Sequence, residues 1–126
     1  MSSLIYGIMK RADIQEYEKL HSQLMTMKNQ FEMLSKKNPD GVVNSFKIGL
    51  VNKLLTDTTK LIGTYKPFPD FEKFDDNPKV FNSDVLMMVA HYLTAVGRYK
   101  KANITITESP LNNDWMNSIE KWNTED

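Results

Sequence analysis

Cysteine is absent from the chain, which removes disulfides, thiolate nucleophiles and cysteine-based zinc sites together and agrees with a reducing cytosol. Net charge is absent too. Sixteen basic residues (16) balance 16 acidic ones, so no whole-chain field draws the molecule to nucleic acid or anionic lipid. No apolar run approaches the roughly 20 residues needed to span a bilayer. The apolar run at residues 4–9 is short, contains Gly7, and is followed rather than preceded by Lys10 and Arg11, so an export signal is not expected. The chain therefore reads as soluble and cytoplasmic. Histidine occurs only at His21 and His91, with no H-E-x-x-H pattern, and glycine-rich phosphate loops, G-x-S-x-G and kinase signatures are all missing. Neither a metal nor a cofactor is expected. Arginine is restricted to Arg11 and Arg98 while asparagine is frequent, the bias of an AT-rich coding sequence such as many bacteria and their phages carry.

What is present points to a mainly α fold. At 126 residues and 14.6 kDa the chain fits one domain with a single core. Residues 13–37 form the clearest amphipathic pattern: Tyr17, Leu20, Leu24, Met27, Phe31 and Leu34 recur at steps of three and four, a heptad-like seam suited to long packing against a neighbour. Asp13 followed by Glu16 has the form of a capping box. A helix of this length measures roughly 37 Å, long for so small a domain. Asn38-Pro39-Asp40-Gly41 stops it and turns the chain. A second helix is expected over residues 42–62, its wide apolar face centred on Val43, Leu50, Leu54 and Leu61 and broadened by Phe46, Ile48, Val51, Leu55 and Ile62, with Gly63 as its cap. The short connection makes these two helices an antiparallel hairpin.

Residues 64–82 carry Pro67, Pro69 and Pro78 beside Phe68, Phe71, Phe74 and Phe81. Such a stretch reads as an ordered loop pinned by its phenylalanines, with one helical turn at residues 70–74. The central helix follows at residues 83–101, capped by Asn82 or Ser83 with Asp84 in its first turn. Its apolar arc (Val85, Leu86, Met88, Val89, Ala90, Tyr92, Leu93, Ala95, Val96, Tyr99) exceeds half the circumference, leaving a narrow polar strip of Asp84, His91, Thr94 and Arg98 with Met87 among them. The β-branched alternation of residues 104–107 suggests a short extended segment. Beyond Pro110, a short C-terminal helix starting at Asn113 or Asp114 would place Trp115, Ile119 and Trp122 on one face, and because it is too short to stand alone it must dock. The architecture expected is thus a small helical bundle: a hairpin, a central third helix and a short C-terminal helix.

Chemistry-bearing candidates are few. Asp84, His91 and Arg98 lie in a row, but at sevens they are two turns, about 10 Å, apart and form no acid–base dyad within the helix. His91 and Arg98 suit an anionic ligand, or the strip is simply a solvated edge. Lys47 falls inside the apolar arc of the second helix, where an ammonium must snorkel or find an anion. With Arg98 and Lys101 it would surround a small phosphorylated ligand such as a nucleotide. Arg98-Tyr99-Lys100-Lys101 has the composition of a minimal single-strand nucleic-acid contact, although a helix C-terminus favours the same residues for its dipole. The acidic loop Asp70, Glu72, Asp75, Asp76 lacks the register of an EF-hand.

Three readings of function follow. The leading one is a non-enzymatic binding or adaptor protein, a phage or bacterial regulatory factor for instance, whose helical oligomer engages a protein partner. Faces this wide exceed what three helices bury in a monomer, so a homo-oligomer joined through the first or central helix is expected. The second is a small anionic ligand bound by Lys47, His91, Arg98 and Lys101. The third is a nuclease or hydrolase pairing His91 with carboxylates of residues 70–76.

Overall fold

A computed structural model describes residues 10–107 and 119–123. The fold is mainly helical, three helices packed together: α1 (Arg11–Lys37), α2 (Ser45–Ile62) and α3 (Asn82–Ala102), followed by an antiparallel pair of strands, β1 (Ile104–Thr107) and β2 (Ile119–Trp122). α3 is the element against which the other two close. Val85, Val89, Tyr92, Ala95 and Val96 of α3 meet Tyr17, Leu20, Leu24 and Phe31 of α1 and Ile48, Val51, Leu54, Leu55 and Ile62 of α2 in one core. On α1 and α3 these are residues that the helical spacing singled out; on α2 the buried face centres on Val51, Leu55 and Ile62 and not, as expected, on Leu50 and Leu61, because α1 and α3 close on the flank of its wide apolar arc and leave Leu50 half exposed. Thr58 is a fully buried polar residue of α2. Its hydroxyl donates to the Leu54 carbonyl at 2.7 Å, which removes the cost of burying it.

The helix starts differ from the sequence expectation, two for a local reason and one for a distant one. α1 begins at Arg11 behind Lys10, whose carbonyl accepts from the Asp13 amide at 3.0 Å. Asp13 is already inside the first turn, so the expected capping box with Glu16 does not form, and Glu16 instead faces Lys19 at 3.6 Å. Val42 and Val43 are not the start of α2. They run extended beside residues 80–81, Val42 bridging Phe81 and the Val43 amide donating to the Val80 carbonyl at 2.8 Å. Two β-branched residues favour that geometry, and Asn44 then caps α2 by accepting from the Lys47 amide at 2.9 Å. α3 is capped neither by Asn82 nor by Ser83: Phe81 occupies the cap, and the Asp84 carboxylate reaches back to accept from its amide at 2.9 Å. Asn82 is buried, its side-chain amide donating to the Asn38 carbonyl at 2.9 Å, so the turn between α1 and α2 is tied to the start of α3.

The connection between α2 and α3 is ordered by one side chain above all. The Asn52 amide donates to the Phe74 carbonyl and accepts from the Phe74 amide, both at 2.8 Å. That pair satisfies both backbone groups of Phe74, and no helical turn forms at residues 70–74. Phe68, Phe71 and Phe74 pack half-buried against the core, as their apolarity requires.

Near the chain's end the expected helix gives way to a strand. Ile119 and Trp122 lie on β2, paired with Thr107 and Ile104 of β1, because the β-branched segment β1 is extended and its backbone groups need partners that a second strand supplies. Trp115 and the start proposed at Asn113 or Asp114 lie outside the described residues. Trp122 does dock: its ring meets Tyr17 edge-on at 5.0 Å, and the Lys100 ammonium sits over it at 5.8 Å. Tyr17 also stacks near Tyr99 at 6.5 Å, which meets Tyr65 at 6.0 Å.

Burial, reinforced by the nearby Asp13 carboxylate, pushes the Tyr99 phenol from 10.0 to about 12. Neutral phenol is therefore the form the fold prefers. Its contribution to stability is complete below the unfolded value near 10 and is lost as pH rises through about 12. Titrating the ultraviolet phenolate absorbance should reveal a late step that Tyr99→Phe removes, and the stability of Tyr99→Phe should fall less than that of the parent chain across that window.

Candidate functional site

The four residues singled out from the sequence do not assemble. Lys47 stands exposed in the first turn of α2, its amide held by the Asn44 cap and its side chain on the rim of a groove between α1 and α2. The ammonium thus reaches water, as a snorkelling lysine does. His91, Arg98 and Lys101 are exposed on α3 and none of them lines that groove. The ring of His91 meets Phe68 edge-on at 4.9 Å, and among the described residues no carboxylate bonds to it. The acidic loop turns elsewhere, Asp76 accepting from the Ser45 hydroxyl at 3.0 Å. His21 stacks on Tyr17 at 5.6 Å. Among the described residues no group of three or more histidines and carboxylates converges on a point where a metal would sit, and no helix is long and apolar enough to cross a membrane.

What the fold does build is a trough along the outer seam of α1 and α2, apolar at one end and lined mainly by polar residues beyond it. At one end a groove of about 430 Å³ is lined by Met27, Phe31, Met33, Leu34, Phe46 and Leu50, with Lys37 and Lys47 as its charged residues. It adjoins a second groove that shares Met27, Gln30 and Leu50 and is otherwise lined by Lys19, Ser22, Gln23, Thr26, Lys53, Leu54 and Asp57. A third, smaller depression carries on from Asp57 to Asp13, Glu16, Lys60 and Leu61. On both helices the lining residues recur at steps of three and four, so the trough follows the helices along their whole shared length.

The trough exists because the apolar arcs are wider than three helices can cover. The inner faces of α1 and α2 are used on α3, and the residues one step round remain outside. Phe46 is left 75% exposed, Met33 63% and Leu50 50%. Single exposed apolar residues are ordinary, whereas a contiguous strip rimmed by charge marks an interaction surface. The chemistry it offers is burial: finishing the burial of each of those three side chains is worth roughly 1 to 2 kcal/mol. The sequence placed Phe46 and Leu50 in the apolar arc of the second helix but held no sign of which part of that arc α3 would leave uncovered.

Comparison with protein-family models, with curated proteins and with solved structures finds no match to the chain.

Proposed function

We propose that the chain is a non-enzymatic binding protein that acts by laying the α1–α2 trough against a helical surface of another polypeptide chain. The reading rests on the contiguous exposed strip of Met33, Phe46 and Leu50 above Met27, Phe31 and Leu34. An elongated groove with apolar anchors at three- and four-residue spacing is the shape that receives an amphipathic helix. The lack of cysteine suits work in a reducing cytoplasm, and the balanced charge leaves no electrostatic draw toward nucleic acid. No observation favours the anionic-ligand or hydrolase readings, since Lys47 and His91 belong to separate surfaces.

Site-specific photo-crosslinking in cells expressing the protein tests this. A photoreactive residue in place of Phe46 should give a discrete protein adduct that Leu50→Asp in the same chain abolishes, while the same probe in place of Arg98 should give none. Absence of any adduct from position 46, or equal labelling from both positions, would refute the reading.

A further inference from the structure

We infer that the apolar end of the trough receives a short amphipathic helix of a different protein, about three turns long, whose apolar face is flanked on both sides by aspartate or glutamate. The inference rests on the reading of the trough as a protein-binding surface and adds the length and the charge of the partner segment.

The length follows from where the apolar lining stops. On α1 it runs from Met27 to Lys37, about 15 Å at 1.5 Å per residue. On α2 it is Phe46 and Leu50, one turn apart and backed by Val51. Beyond Leu50 the lining turns polar, with Lys19, Ser22, Gln23 and Lys53, and an apolar side chain laid there gains little.

The charge follows from the two lysines. Lys37 and Lys47 are the charged residues of the apolar groove, one on the α1 wall and one on the α2 wall. Among the described residues neither ammonium pairs with a carboxylate, whereas the lysines further along the trough are already answered within the chain, Lys19 facing Glu16 at 3.6 Å and Lys53 facing Asp57 at 3.3 Å. The carboxylates at this end of the molecule do not line the groove: Asp76 accepts from the Ser45 hydroxyl, and Asp40 lies in the turn between α1 and α2. An occupant that closes over Met33, Phe46 and Leu50 also takes water from both ammoniums at the rim. An ammonium that loses water without gaining an acceptor is penalised. Carboxylates on the two flanks of the occupant remove that penalty, and a neutral or basic helix cannot.

Charge, rather than shape, is what this groove selects on. Met27 and Met33 adapt to apolar side chains of differing outline, so the flanks of the occupant decide which helix fits. The same lysines disfavour a second copy seated on the same patch. A two-fold contact is self-complementary, so it would bring Lys37 and Lys47 of each chain against those of the other, with no carboxylate lining either groove.

Two synthetic peptides of about 14 residues, locked as helices by a side-chain staple because free ones are marginal, test this. They share one leucine face, flanked by glutamate in the first and by lysine in the second. Titrated into the full chain with labelled methionine methyl groups, the acidic peptide should bind roughly tenfold tighter or better than the basic one, shifting Met33 and leaving Met87 unmoved. Lys37→Glu combined with Lys47→Glu, its folding verified by circular dichroism, should reverse the preference. Equal affinities, a preference that survives the charge reversal, a shift at Met87 instead of Met33, or no binding of either peptide would each overturn the inference, and so would a position-46 adduct with the mass of two copies of this chain. Any of these alongside a position-46 adduct to another polypeptide leaves the protein-binding reading intact, whereas loss of that adduct is the failure of the reading itself.

Discussion

Leu55→Ala should lower the folding stability by about 3 kcal/mol or more and shift the whole unfolding transition, by denaturant or heat, without broadening it. Leu55 is 0% exposed and belongs to the α2 face that closes on α3. Removing its branched end sacrifices both transfer free energy and packing, a combined cost of about 2 to 5 kcal/mol at fully enclosed sites. It shares the core with Tyr92, itself 1% exposed with its hydroxyl 3.3 Å from that of Thr59, which in turn donates to the Leu55 carbonyl at 2.9 Å. The cavity therefore collapses poorly, and the cost falls in the upper part of that range. Leu50→Ala, one helical face away and half exposed, should change the stability of an isolated protomer by less than about 1 kcal/mol. Equal losses at the two positions would mean that the division between core and trough has been misplaced.

Asn52→Ala should produce a different kind of loss, local before it is global. The two 2.8 Å bonds between Asn52 and Phe74 are what hold the loop's backbone in place of a helical turn. Truncating the side chain leaves a part-buried amide and carbonyl without partners, at a cost of about 2 kcal/mol. Much of that appears as opening of the loop rather than of the bundle. Trypsin should cut after Lys73 far faster than in the parent chain, while the circular dichroism of the helices changes little. Asn52→Asp is the sharper variant. Its carboxylate can still accept from the Phe74 amide but has no proton to give the carbonyl, so cleavage should fall between the parent and the alanine variant. Unchanged cleavage in Asn52→Ala would show that the phenylalanines alone pin the loop.

Much of the fold was legible in the residues because helical periodicity is a local property. Tyr17, Leu20, Leu24 and Phe31 announce the inner face of α1 by their spacing, and Val85, Val89, Tyr92 and Val96 do the same for α3. The turn at residues 38–41 marks the hairpin for the same reason. Apart from the caps of α1 and α3, the errors fall where a partner distant in sequence decides. Val42 and Val43 look helical on a wheel until residues 80–81 arrive beside them. Ile119 and Trp122 share a helical face until β1 offers an edge. Asn52 reads as a solvent-facing polar residue, and only the folded chain reveals Phe74 opposite it.

The site was less legible than the fold. A wheel ranks residues within one helix and is silent on which helix another helix will cover, so Lys47, His91 and Arg98 looked combinable although they belong to different surfaces. The same wheel gave α2 too wide an apolar arc, and that surplus was the real signal. Phe46 and Leu50 are that surplus made visible.

The central claim is that another polypeptide chain covers this surplus, and the methionines report on it directly. In the protein purified together with the partner captured at position 46 and carrying labelled methionine methyl groups, a soluble paramagnetic probe should broaden the signal of Met87, which lies on α3 and is 55% exposed, and should largely spare Met33, which is 63% exposed in the chain alone. Leu50→Asp should make Met33 as sensitive as Met87. Equal broadening of the two methyls in that complex would contradict the claim that the α1–α2 trough is a covered face.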